Sequence, residues 1–265
     1  MITGYRRYLK LIKNVTNPAE YFLHKRNRFK KDLEFTSQPY KIKFNVPSRL
    51  YLVFKEIFMS DVYAIDELLT KIPYNPVIVD IGSNAGYFDI LILSKLPAAR
   101  IYAYEPLEGN IAVLKNIISN NPSIQESILQ YRYAVTGSPK EELELYVENS
   151  TDSSQVVASV FEGFNEHNKT KVTVPCITLT EIFQQHGFKH IDLLKIDCEG
   201  SEYDIIYNTD PAVIQAAKLI ALEVHDIDSG KNNFESMNAY LRSLGYSTIS
   251  QPINDFCFAV EATKN

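Results

Sequence analysis

The sequence predicts an α/β protein with a doubly wound, mostly parallel sheet, and three observations support this prediction. From Val77 onward, short apolar stretches alternate with helical patterns, which is typical of chains that form parallel sheets. The first of these stretches ends on Asp80 and enters a glycine-containing turn at residues 82–86. Acidic or histidine residues follow most of the predicted strands, and ligands of open α/β sheets bind beyond such strand ends.

The N-terminal part, residues 1–50, is predicted to form a basic and mainly helical extension of a main domain that covers residues 51–265. Apolar positions over residues 5–35 have the spacing of one or two short helices. The stretch Tyr40–Phe44 alternates polar and apolar residues as a strand does, and Leu50–Leu69 returns to helical spacing.

The main domain is predicted to alternate strands and helices to its end. Each strand is a short apolar or alternating stretch, and each helix repeats apolar residues with helical spacing. Residues 148–171 are polar and are predicted to form a long loop, which is typical of a functional or disordered segment. The predicted strands are Val77–Ile81, Arg100–Glu105, Leu129–Val135, Leu143–Val147, Lys171–Leu179, Ile191–Ile196, Leu219–Val224, Tyr246–Ile249 and Phe256–Val260. The predicted helices are Tyr87–Leu96, Asn110–Ser119, Thr180–His186, a helix that ends near Tyr207, and Phe234–Leu244.

Composition places the chain among globular proteins with one main domain. It has 265 residues, 45% of them hydrophobic, which is enough for one sizeable core. No apolar stretch reaches the roughly 20 residues of a membrane-spanning helix, and the N-terminus lacks the apolar region of a signal peptide. The three cysteines, Cys176, Cys198 and Cys257, have no metal-like spacing. Free thiols and a cytoplasmic location are therefore expected.

Charge is distributed unevenly along the chain. Residues 1–45 contain 11 Lys and Arg but 3 Asp and Glu, although the whole chain has a net charge of −5. Such a basic segment favours an anionic partner, whether nucleic acid, an anionic lipid surface in peripheral contact, or a phosphorylated carrier. A solvated helical extension without a ligand is the other interpretation.

The predicted strand ends favour a cationic ligand. A dinucleotide motif would need a second glycine where Asn84 stands, and no Gly-Lys-Ser/Thr follows as in a P-loop. No Lys or Arg occurs among the residues at these ends, whereas a phosphate site would need cations. S-adenosylmethionine fits, because it carries a sulfonium and an ammonium group but no phosphate. The strand-end residues are Asp80, Glu105, Ala134–Val135, Asp197 with Glu199, and His225 with Asp226.

Individual residues of this expected site have distinct chemical uses. Glu105, 25 residues after Asp80, can accept two hydrogen bonds from a ribose diol. Gly82 and Gly86 would let the backbone approach the methionine part of the cofactor closely. Asn84 adds a side-chain amide that can bind the amino-acid end.

Two sequence motifs resemble those of one enzyme family. Residues 191–202 read Ile-Asp-Leu-Leu-Lys-Ile-Asp-Cys-Glu-Gly-Ser-Glu, which is similar to the hallmark strand of the FkbM family of class I methyltransferases. The turn Asp-Ile-Gly-Ser-Asn-Ala-Gly at residues 80–86 resembles the family's cofactor loop. Tyr102–Pro106 and Leu222–His225 resemble its second and fifth strands. The resemblance covers about residues 51–260 and leaves the basic N-terminal residues outside it.

The resemblance implies a Rossmann-like, seven-stranded sheet with an antiparallel last strand and helices on both faces. It also implies S-adenosylmethionine as the cofactor and in-line transfer of its methyl group to a hydroxyl of a sugar, glycan or other natural product. Residues 51–265 would then be the methyltransferase domain. The residues expected to bind the cofactor are Asp80, Gly82, Ser83, Asn84, Gly86, Phe88, Glu105, Pro106, Ala134 and Asp197.

Methyl transfer to an alcohol benefits from a general base, and three strand-end residues are candidates for the catalytic groups. They are Asp197, Glu199 and His225. The ordinary pKa of His225 is best suited to a base, and Asp197 ends the central strand. The same three residues could hold a divalent metal ion, although no metal requirement is expected.

Two other interpretations stay open. The basic N-terminal residues would suit RNA as the acceptor, but nucleic acid is not the expected partner because few cations are predicted near the site. A methyltransferase-fold protein that binds a ligand without catalysis is the second. Such a protein would be expected to lack the cofactor acids, whereas Asp80 and Glu105 are both present.

Overall fold

The protein is described by a computed structural model over residues 1–25, 30–148, 158–161 and 170–265. The strands within these ranges are β1 (Leu33–Thr36), β2 (Lys43–Val46), β3 (Val77–Ile81), β4 (Arg100–Tyr104), β5 (Ile128–Tyr131), β6 (Ala134–Thr136), β7 (Glu142–Val147), β8 (Ala158–Ser159), β9 (Thr170–Thr178), β10 (Ile191–Ile196), β11 (Ala217–His225), β12 (Tyr246–Asn254) and β13 (Cys257–Lys264). The α-helices are α1 (Arg6–Asn14), α2 (Ala19–Lys25), α3 (Tyr51–Lys55), α4 (Ile65–Leu68), α5 (Tyr87–Lys95), α6 (Glu108–Ser119), α7 (Leu179–His186), α8 (Glu202–Asn208), α9 (Pro211–Ile214) and α10 (Phe234–Ser243). None of the helices in the described ranges has the length and apolarity needed to cross a lipid bilayer.

The central sheet confirms the predicted α/β class and the antiparallel last strand. Its order is β12-β13-β11-β10-β3-β4-β5, and β13 runs antiparallel to both of its neighbours. Strands β11, β10, β3, β4 and β5 pair in parallel. Strand order reverses at β3, because β4 pairs on one side of it and β10 on the other. Ligands of open sheets bind at such a switch point.

Helices and apolar side chains cover both faces of the central sheet, which explains why its middle strands are mostly apolar. Ile78 and Leu193 belong to one buried cluster with residues of α5, α6 and the N-terminal region. Val79 and Leu194 belong to a second cluster with residues of α7, α8 and α10. All residues of β10 are buried, so this strand gives a fixed support to the site residues that follow it.

Helix α7 shows how the sequence sets the ends of an element. The Thr178 hydroxyl accepts a hydrogen bond from the Glu181 N–H over 3.1 Å, and the Glu181 carboxylate accepts one from the Thr178 N–H over 2.8 Å. This reciprocal pair satisfies backbone donors that the first turn would leave unbonded. At the other end Gly187 adopts φ +64°, the left-handed conformation that commonly ends a helix.

The prediction of Leu129–Val135 as one strand is wrong. The structure divides this stretch into β5, in the central sheet, and β6, which pairs in parallel with β9. Arg132 and Tyr133 between them are exposed, and the Arg132 guanidinium lies 2.9 Å from the Glu108 carboxylate. The chain therefore leaves the central sheet at these residues and enters a second sheet of order β6-β9-β7-β8.

Two other predicted segments need comment. Most of the predicted loop at residues 148–171 lies outside the described residues, but within it β8 pairs antiparallel with β7. The last two strands are longer than predicted, because β12 continues through Pro252 to Asn254 and β13 continues to Lys264. Their connection is therefore the short turn at Asp255 and Phe256.

The N-terminal residues form a hairpin as well as helices. The sequence pattern did not predict strand β1, which pairs antiparallel with β2. Strand β2 begins three residues later than the predicted strand Tyr40–Phe44. Phe35 of β1 stacks on Phe54 of α3 with 4.6 Å between ring centroids. Leu11 of α1 is buried in the same cluster. Residues 1–50 thus share a core with the residues that follow them.

Part of the N-terminal positive charge is paired within the fold. Lys10 contacts Asp61 and lies 2.8 Å from Asp66, and Lys13 lies 2.6 Å from the same Asp66 carboxylate. These pairs connect α1 to the residues that precede β3. They also reduce the net positive charge that an anionic partner would meet on α1.

Candidate active site

A cavity of about 870 Å³ lies at the switch point, beyond the carboxyl ends of β3, β4, β10 and β11. Seven Asp and Glu residues and one histidine contribute to its described lining, which contains no Lys or Arg. The sequence-predicted residues found in this lining are Gly82, Asn84, Glu105, Pro106, Ala134, Asp197, Glu199 and His225. Most of the residues predicted at strand ends therefore lie together in one acidic cavity.

The turn after β3 reaches the cavity through close backbone contacts. Gly82 has φ +74°, and its N–H donates to the Tyr104 carbonyl oxygen over 2.9 Å. A Cβ atom on Gly82 would lie 1.8 Å from the carbonyl oxygen of Asp197. Only glycine therefore allows the turn to lie so close to the end of β10. Asn84 also has a positive φ, +51°, which a short polar side chain tolerates.

Gly82→Ala is expected to destabilise the fold by more than the roughly 1–2 kcal/mol that left-handed backbone costs a non-glycine residue. The added methyl would overlap the Asp197 carbonyl oxygen, so the end of β10 must move. Chemical unfolding measures the loss. Gly187→Ala is the matched control, since Gly187 has φ +64° but no atom within 4 Å of the place that an added methyl would occupy. Equal losses in both variants would show that the close approach to the Asp197 carbonyl oxygen is not what requires glycine at position 82.

Glu105 closes the turn from the end of β4. Its Oε2 accepts a hydrogen bond from the Asn84 N–H at 3.0 Å, and its Oε1 accepts one from the Leu107 N–H at 2.9 Å. Burial raises the pKa of Glu105 to about 7, although these backbone donors and the Asn110 side chain lower it. Each oxygen retains acceptor capacity, so Glu105 can also bind a hydroxyl of a ligand in the cavity.

A buried lysine joins the turn to the end of β10. The Nζ atom of Lys195 lies 3.0 Å from Asp80 Oδ1 and donates to the Gly82 carbonyl oxygen over 2.8 Å. It also lies 3.6 Å from Asp197 Oδ2. The Lys195 and Asp80 side chains are 3% and 0% exposed. Although burial lowers it, attraction by Asp80 and Asp197 raises the pKa of Lys195, which therefore remains charged.

Asp89 of α5 completes this buried group. It is fully buried, and burial together with the charge of Asp80 raises the pKa of Asp89 well above its ordinary value. A buried ion needs a partner, and Asp80 has one in Lys195.

Four of the predicted cofactor residues lie behind the cavity wall. Phe88 packs against Tyr63 in an edge-to-face arrangement with 5.4 Å between ring centroids. Gly86 faces Leu114, whose side chain would lie 2.4 Å from a Cβ atom at that position. These residues position the turn, and their direct contact with a cofactor stays a prediction. The four are Asp80, Ser83, Gly86 and Phe88, all of which are outside the described lining.

Tyr63 links the acid at the end of β10 to an acid of β11. Its hydroxyl oxygen lies 2.8 Å from Asp197 Oδ2 and 2.9 Å from Glu223 Oε1. Burial and the neighbouring Asp197 raise the pKa of Glu223 well above its ordinary value. The Tyr63 hydroxyl can donate its one proton to either of the two carboxyl groups.

His225, at the end of β11, lies between two carboxylates. Its Nδ1 is 3.0 Å from Glu202 Oε1, and its Nε2 is 3.3 Å from Glu199 Oε2. Burial lowers the pKa of His225, but hydrogen bonds with Cys257 and Glu202 and attraction by Glu199 raise it overall to about 12. The ring is therefore protonated in this arrangement. The preference for His225 as a base, which rests on its ordinary pKa, does not apply to the folded site.

A family model matches the same part of the chain. The model of the methyltransferase FkbM domain covers residues 80–248, more than half of the sequence. The chain belongs to the FkbM methyltransferase family. The matched range begins at Asp80, near the end of β3, and includes the acidic strand ends that line the cavity.

Curated proteins similar to this FkbM methyltransferase come from fungi and bacteria. Methyltransferase SdnD of Sordaria araneosa is 27% identical over 212 residues, which are 70% of this chain and 78% of that protein. The 31-O-demethyl-FK506 methyltransferase FkbM of Streptomyces tacrolimicus is 20% identical over 222 residues, covering 75% of this chain and 82% of that protein. The antimetabolite synthetase AmbE of Pseudomonas aeruginosa is 25% identical over 223 residues, 73% of this chain, but the match spans 10% of AmbE.

S-adenosylmethionine is the expected cofactor of an FkbM methyltransferase, and the cavity fits it. The acidic lining suits the sulfonium and ammonium groups, and the absence of Lys and Arg from its described part suits a cofactor without phosphates. The close approach at Gly82 brings backbone to the cavity wall without a side chain. Asn84 and Glu105, which line the cavity beside it, are the groups that would hold the cofactor.

The FkbM site also contains residues that sequence reasoning missed. Tyr63 precedes β3 in a stretch without a motif, so no sequence signal marks it. Glu56 lines the cavity from a π-helical segment, Glu56–Ser60; such segments are frequent at functional sites but have no sequence signature. Cys257 has no sequence motif either, and it lies opposite His225 in the antiparallel register of β11 and β13.

Proposed function

We propose that this FkbM methyltransferase transfers the methyl group of S-adenosylmethionine to a hydroxyl of a sugar, glycan or other natural product. The observation that carries the proposal is the acid-lined cavity of about 870 Å³ with no Lys or Arg in its described wall. A sulfonium cofactor and a neutral acceptor suit such a cavity, whereas a phosphate-rich ligand does not. The name of the Streptomyces relative supports an oxygen acceptor, because it describes a 31-O-demethyl substrate.

The donor side of the site is the turn after β3 together with the end of β4. When bound, S-adenosylmethionine supplies an electrophilic methyl group. Glu105 is proposed to accept hydrogen bonds from the ribose hydroxyls, and Asn84 to bind the amino-acid end. Pro106 and Ala134, which line the same cavity, would flank the adenine. Orientation of two reactants in this way can supply about 7–11 kcal/mol of the reduction in barrier.

Asp197 is the proposed general base for the acceptor hydroxyl. It ends β10, its side chain is 28% exposed, and its carbonyl oxygen contacts the donor turn at Gly82. Its contacts with described side chains, Tyr63 and Lys195, both use Oδ2, so Oδ1 is available to a substrate. Glu199 and His225 are proposed to shape the acceptor side of the cavity.

The proposed acceptor is a small molecule or glycan rather than nucleic acid. An RNA acceptor would be expected to meet cations close to the reacting base, and the part of the cavity wall that the structure describes has none. The cysteines Cys176, Cys198 and Cys257 are free thiols, which supports a reducing compartment such as the cytoplasm.

The experiment that tests the function has two stages. Titration calorimetry with S-adenosylmethionine is expected to show one saturable site. Absence of binding at millimolar cofactor would refute the proposal that the protein is an S-adenosylmethionine-dependent enzyme. The protein is then incubated with methyl-labelled donor and a panel of sugars, glycans, polyketide alcohols and RNA. Label in a base-stable ether supports the proposal. Label in RNA alone would overturn the acceptor class.

The affinity for S-adenosylmethionine is expected to rise from about pH 6 to about pH 8. The pKa of Glu105 is about 7, so the carboxyl is mostly protonated at the lower pH, whereas the ionised form accepts ribose hydrogen bonds and attracts the cationic cofactor. Hydrogen bonds to charged groups contribute about 1.5–3 kcal/mol. Glu105→Gln should therefore weaken binding by about 10- to 100-fold at the higher pH and abolish the pH dependence, as measured by calorimetry.

Glu108→Gln is the matched control for this prediction. Glu108 begins α6 close to Glu105 in sequence, but its side chain is 50% exposed and pairs with Arg132 at the surface. Its substitution should leave affinity and pH dependence unchanged. An unchanged affinity in Glu105→Gln would contradict the assignment of the ribose contact.

A further inference from the structure

We propose that the cavity contains a binding site for a transition-metal ion of the zinc class, formed by Glu223, His225 and Cys257. The three side chains each offer one ligand atom, and these atoms lie within 4.8 Å of one another. The catalytic role of the ion deepens the proposed function and rests on it. Binding of the ion is independent of methyl transfer and can be measured without it.

Strand pairing explains why these three residues meet. Glu223 and His225 are two positions apart on β11, so both side chains point to the same face of the sheet. The antiparallel register places Cys257 of β13 directly opposite His225. The Sγ atom of Cys257 lies 3.6 Å from Glu223 Oε2. All three residues line the cavity that holds the proposed cofactor site.

The surroundings of His225 match those of a metal-ligating histidine. The second ring nitrogen of such a histidine donates its N–H to a carboxylate in a hydrogen bond. This bond fixes the ring and its tautomer. Here Nδ1 lies 3.0 Å from Oε1 of Glu202, whose side chain is fully buried. Glu202 is itself fixed, because its Oε2 accepts the Gly200 N–H over 2.7 Å and its Oε1 accepts the His225 N–H over 3.1 Å. This assigns Nε2 as the ligand atom.

A second carboxylate is close to the same nitrogen. Oε2 of Glu199 lies 3.3 Å from His225 Nε2, on the loop that follows β10. The set considered from the sequence, Asp197 with Glu199 and His225, therefore shares only His225 with the proposed ligands. Asp197 is engaged by Tyr63 at 2.8 Å and by Lys195 at 3.6 Å. Glu223 also contacts Tyr63, through Oε1 at 2.9 Å, but its Oε2 faces Cys257 at 3.6 Å.

The mixture of donor atoms selects the class of ion. Magnesium and calcium prefer oxygen ligands alone, whereas thiolate, imidazole and carboxylate together suit zinc. Catalytic zinc sites keep three protein ligands and leave one position for water or substrate. The location in the cavity wall would give an acceptor hydroxyl access to that position. The ion would then lower the pKa of the hydroxyl.

The resulting transfer is balanced in atoms and charge. The acceptor hydroxyl loses its proton to Asp197, and its oxygen forms a bond to the methyl carbon as the carbon–sulfur bond breaks. The products are the methyl ether and S-adenosylhomocysteine, whose sulfur retains the bonding electron pair. The ion undergoes no net change and needs no oxidant or reductant.

Cobalt titration of the metal-free protein in the absence of S-adenosylmethionine tests the site directly. Co²⁺ bound to a thiolate absorbs in the near ultraviolet, so the full chain is expected to develop this band at one equivalent and to lose it when Zn²⁺ is added. Cys257→Ser should remove the thiolate band. Cys176→Ser, which alters a half-buried cysteine of β9 outside the described lining, should retain it.

A second variant tests the role of Glu202. Substitution of a residue that orients a metal-bound histidine lowers metal affinity by about 10- to 100-fold, so Glu202→Gln should weaken Zn²⁺ binding by that factor. Circular dichroism verifies that each variant is folded. A wild-type protein without a cobalt band at millimolar Co²⁺, or a band that persists in Cys257→Ser, would overturn the proposal. Binding of S-adenosylmethionine by such a protein would leave the proposed function intact.

Discussion

Asp197→Asn is expected to lower the turnover of methyl transfer by about 10²- to 10⁴-fold, the usual contribution of a general base. The amide keeps the shape of the side chain and can still contact Tyr63, but it cannot accept the proton of an acceptor hydroxyl. Affinity for S-adenosylmethionine should change little, since Gly82 contacts the backbone carbonyl of Asp197 rather than its side chain. Single-turnover rates with the acceptor identified by the panel, together with calorimetry, separate the two quantities.

Asp192→Asn is the matched control on the same strand. Asp192 lies at the opposite end of β10, where it pairs with Lys218 at 2.7 Å and accepts the Val77 N–H over 2.9 Å. Its substitution is expected to leave turnover unchanged. Full turnover in Asp197→Asn would remove Asp197 as the base, and equal losses in both variants would indicate a structural effect on β10.

Lys195→Met is expected to lower the free energy of unfolding by about 3–5 kcal/mol, the usual effect of removing one partner of a buried ion pair. The substitution leaves Asp80 buried without a counter-ion and leaves the Gly82 carbonyl oxygen without its donor. Urea unfolding measures the loss.

Lys218→Met is the control for the effect of burial. Its ion pair with Asp192 is shorter, 2.7 Å against 3.0 Å for Lys195 and Asp80, but the Lys218 side chain is 56% exposed. Exposed pairs contribute about 0–1 kcal/mol, and the control should lose no more than that. The double variant Lys195→Met with Asp80→Asn should recover part of the stability. Additive losses in the double variant would contradict the pairing.

Much of the fold could be predicted because the central strands are buried on both faces. The mostly apolar sequence of β3 and β10 follows from that burial and identifies these strands with correct ends. The division at Arg132 could not be predicted, because β5 and β6 have only 4 and 3 residues, too few to show a change of sheet. Strand β1 has only 4 residues, too few to give a recognisable period.

The candidate site was predictable where it depends on parallel strand ends. Glu105, Asp197 and His225 meet because parallel strands deliver their carboxyl ends to one edge. Cys257 reaches the cavity through antiparallel register, and Tyr63 contacts Asp197 behind the cavity wall through loop packing. Both arrangements depend on tertiary structure. The shift in the pKa of His225 likewise requires the buried Glu202, which a sequence pattern cannot place beside it.

The position of Lys195 constrains how this enzyme could acquire new acceptors during evolution. The Lys195 ammonium group contacts both the Gly82 carbonyl oxygen, in the turn after β3 that forms the donor side, and the Asp197 carboxylate on the acceptor side. A substitution that displaces Asp197 to admit a different acceptor would therefore also disturb the donor turn. Changes at the cavity rim, such as Phe161 after β8 or Phe256 between β12 and β13, avoid this link. Acceptor preference among related enzymes is thus expected to diverge at the rim while the lysine and its partners stay the same.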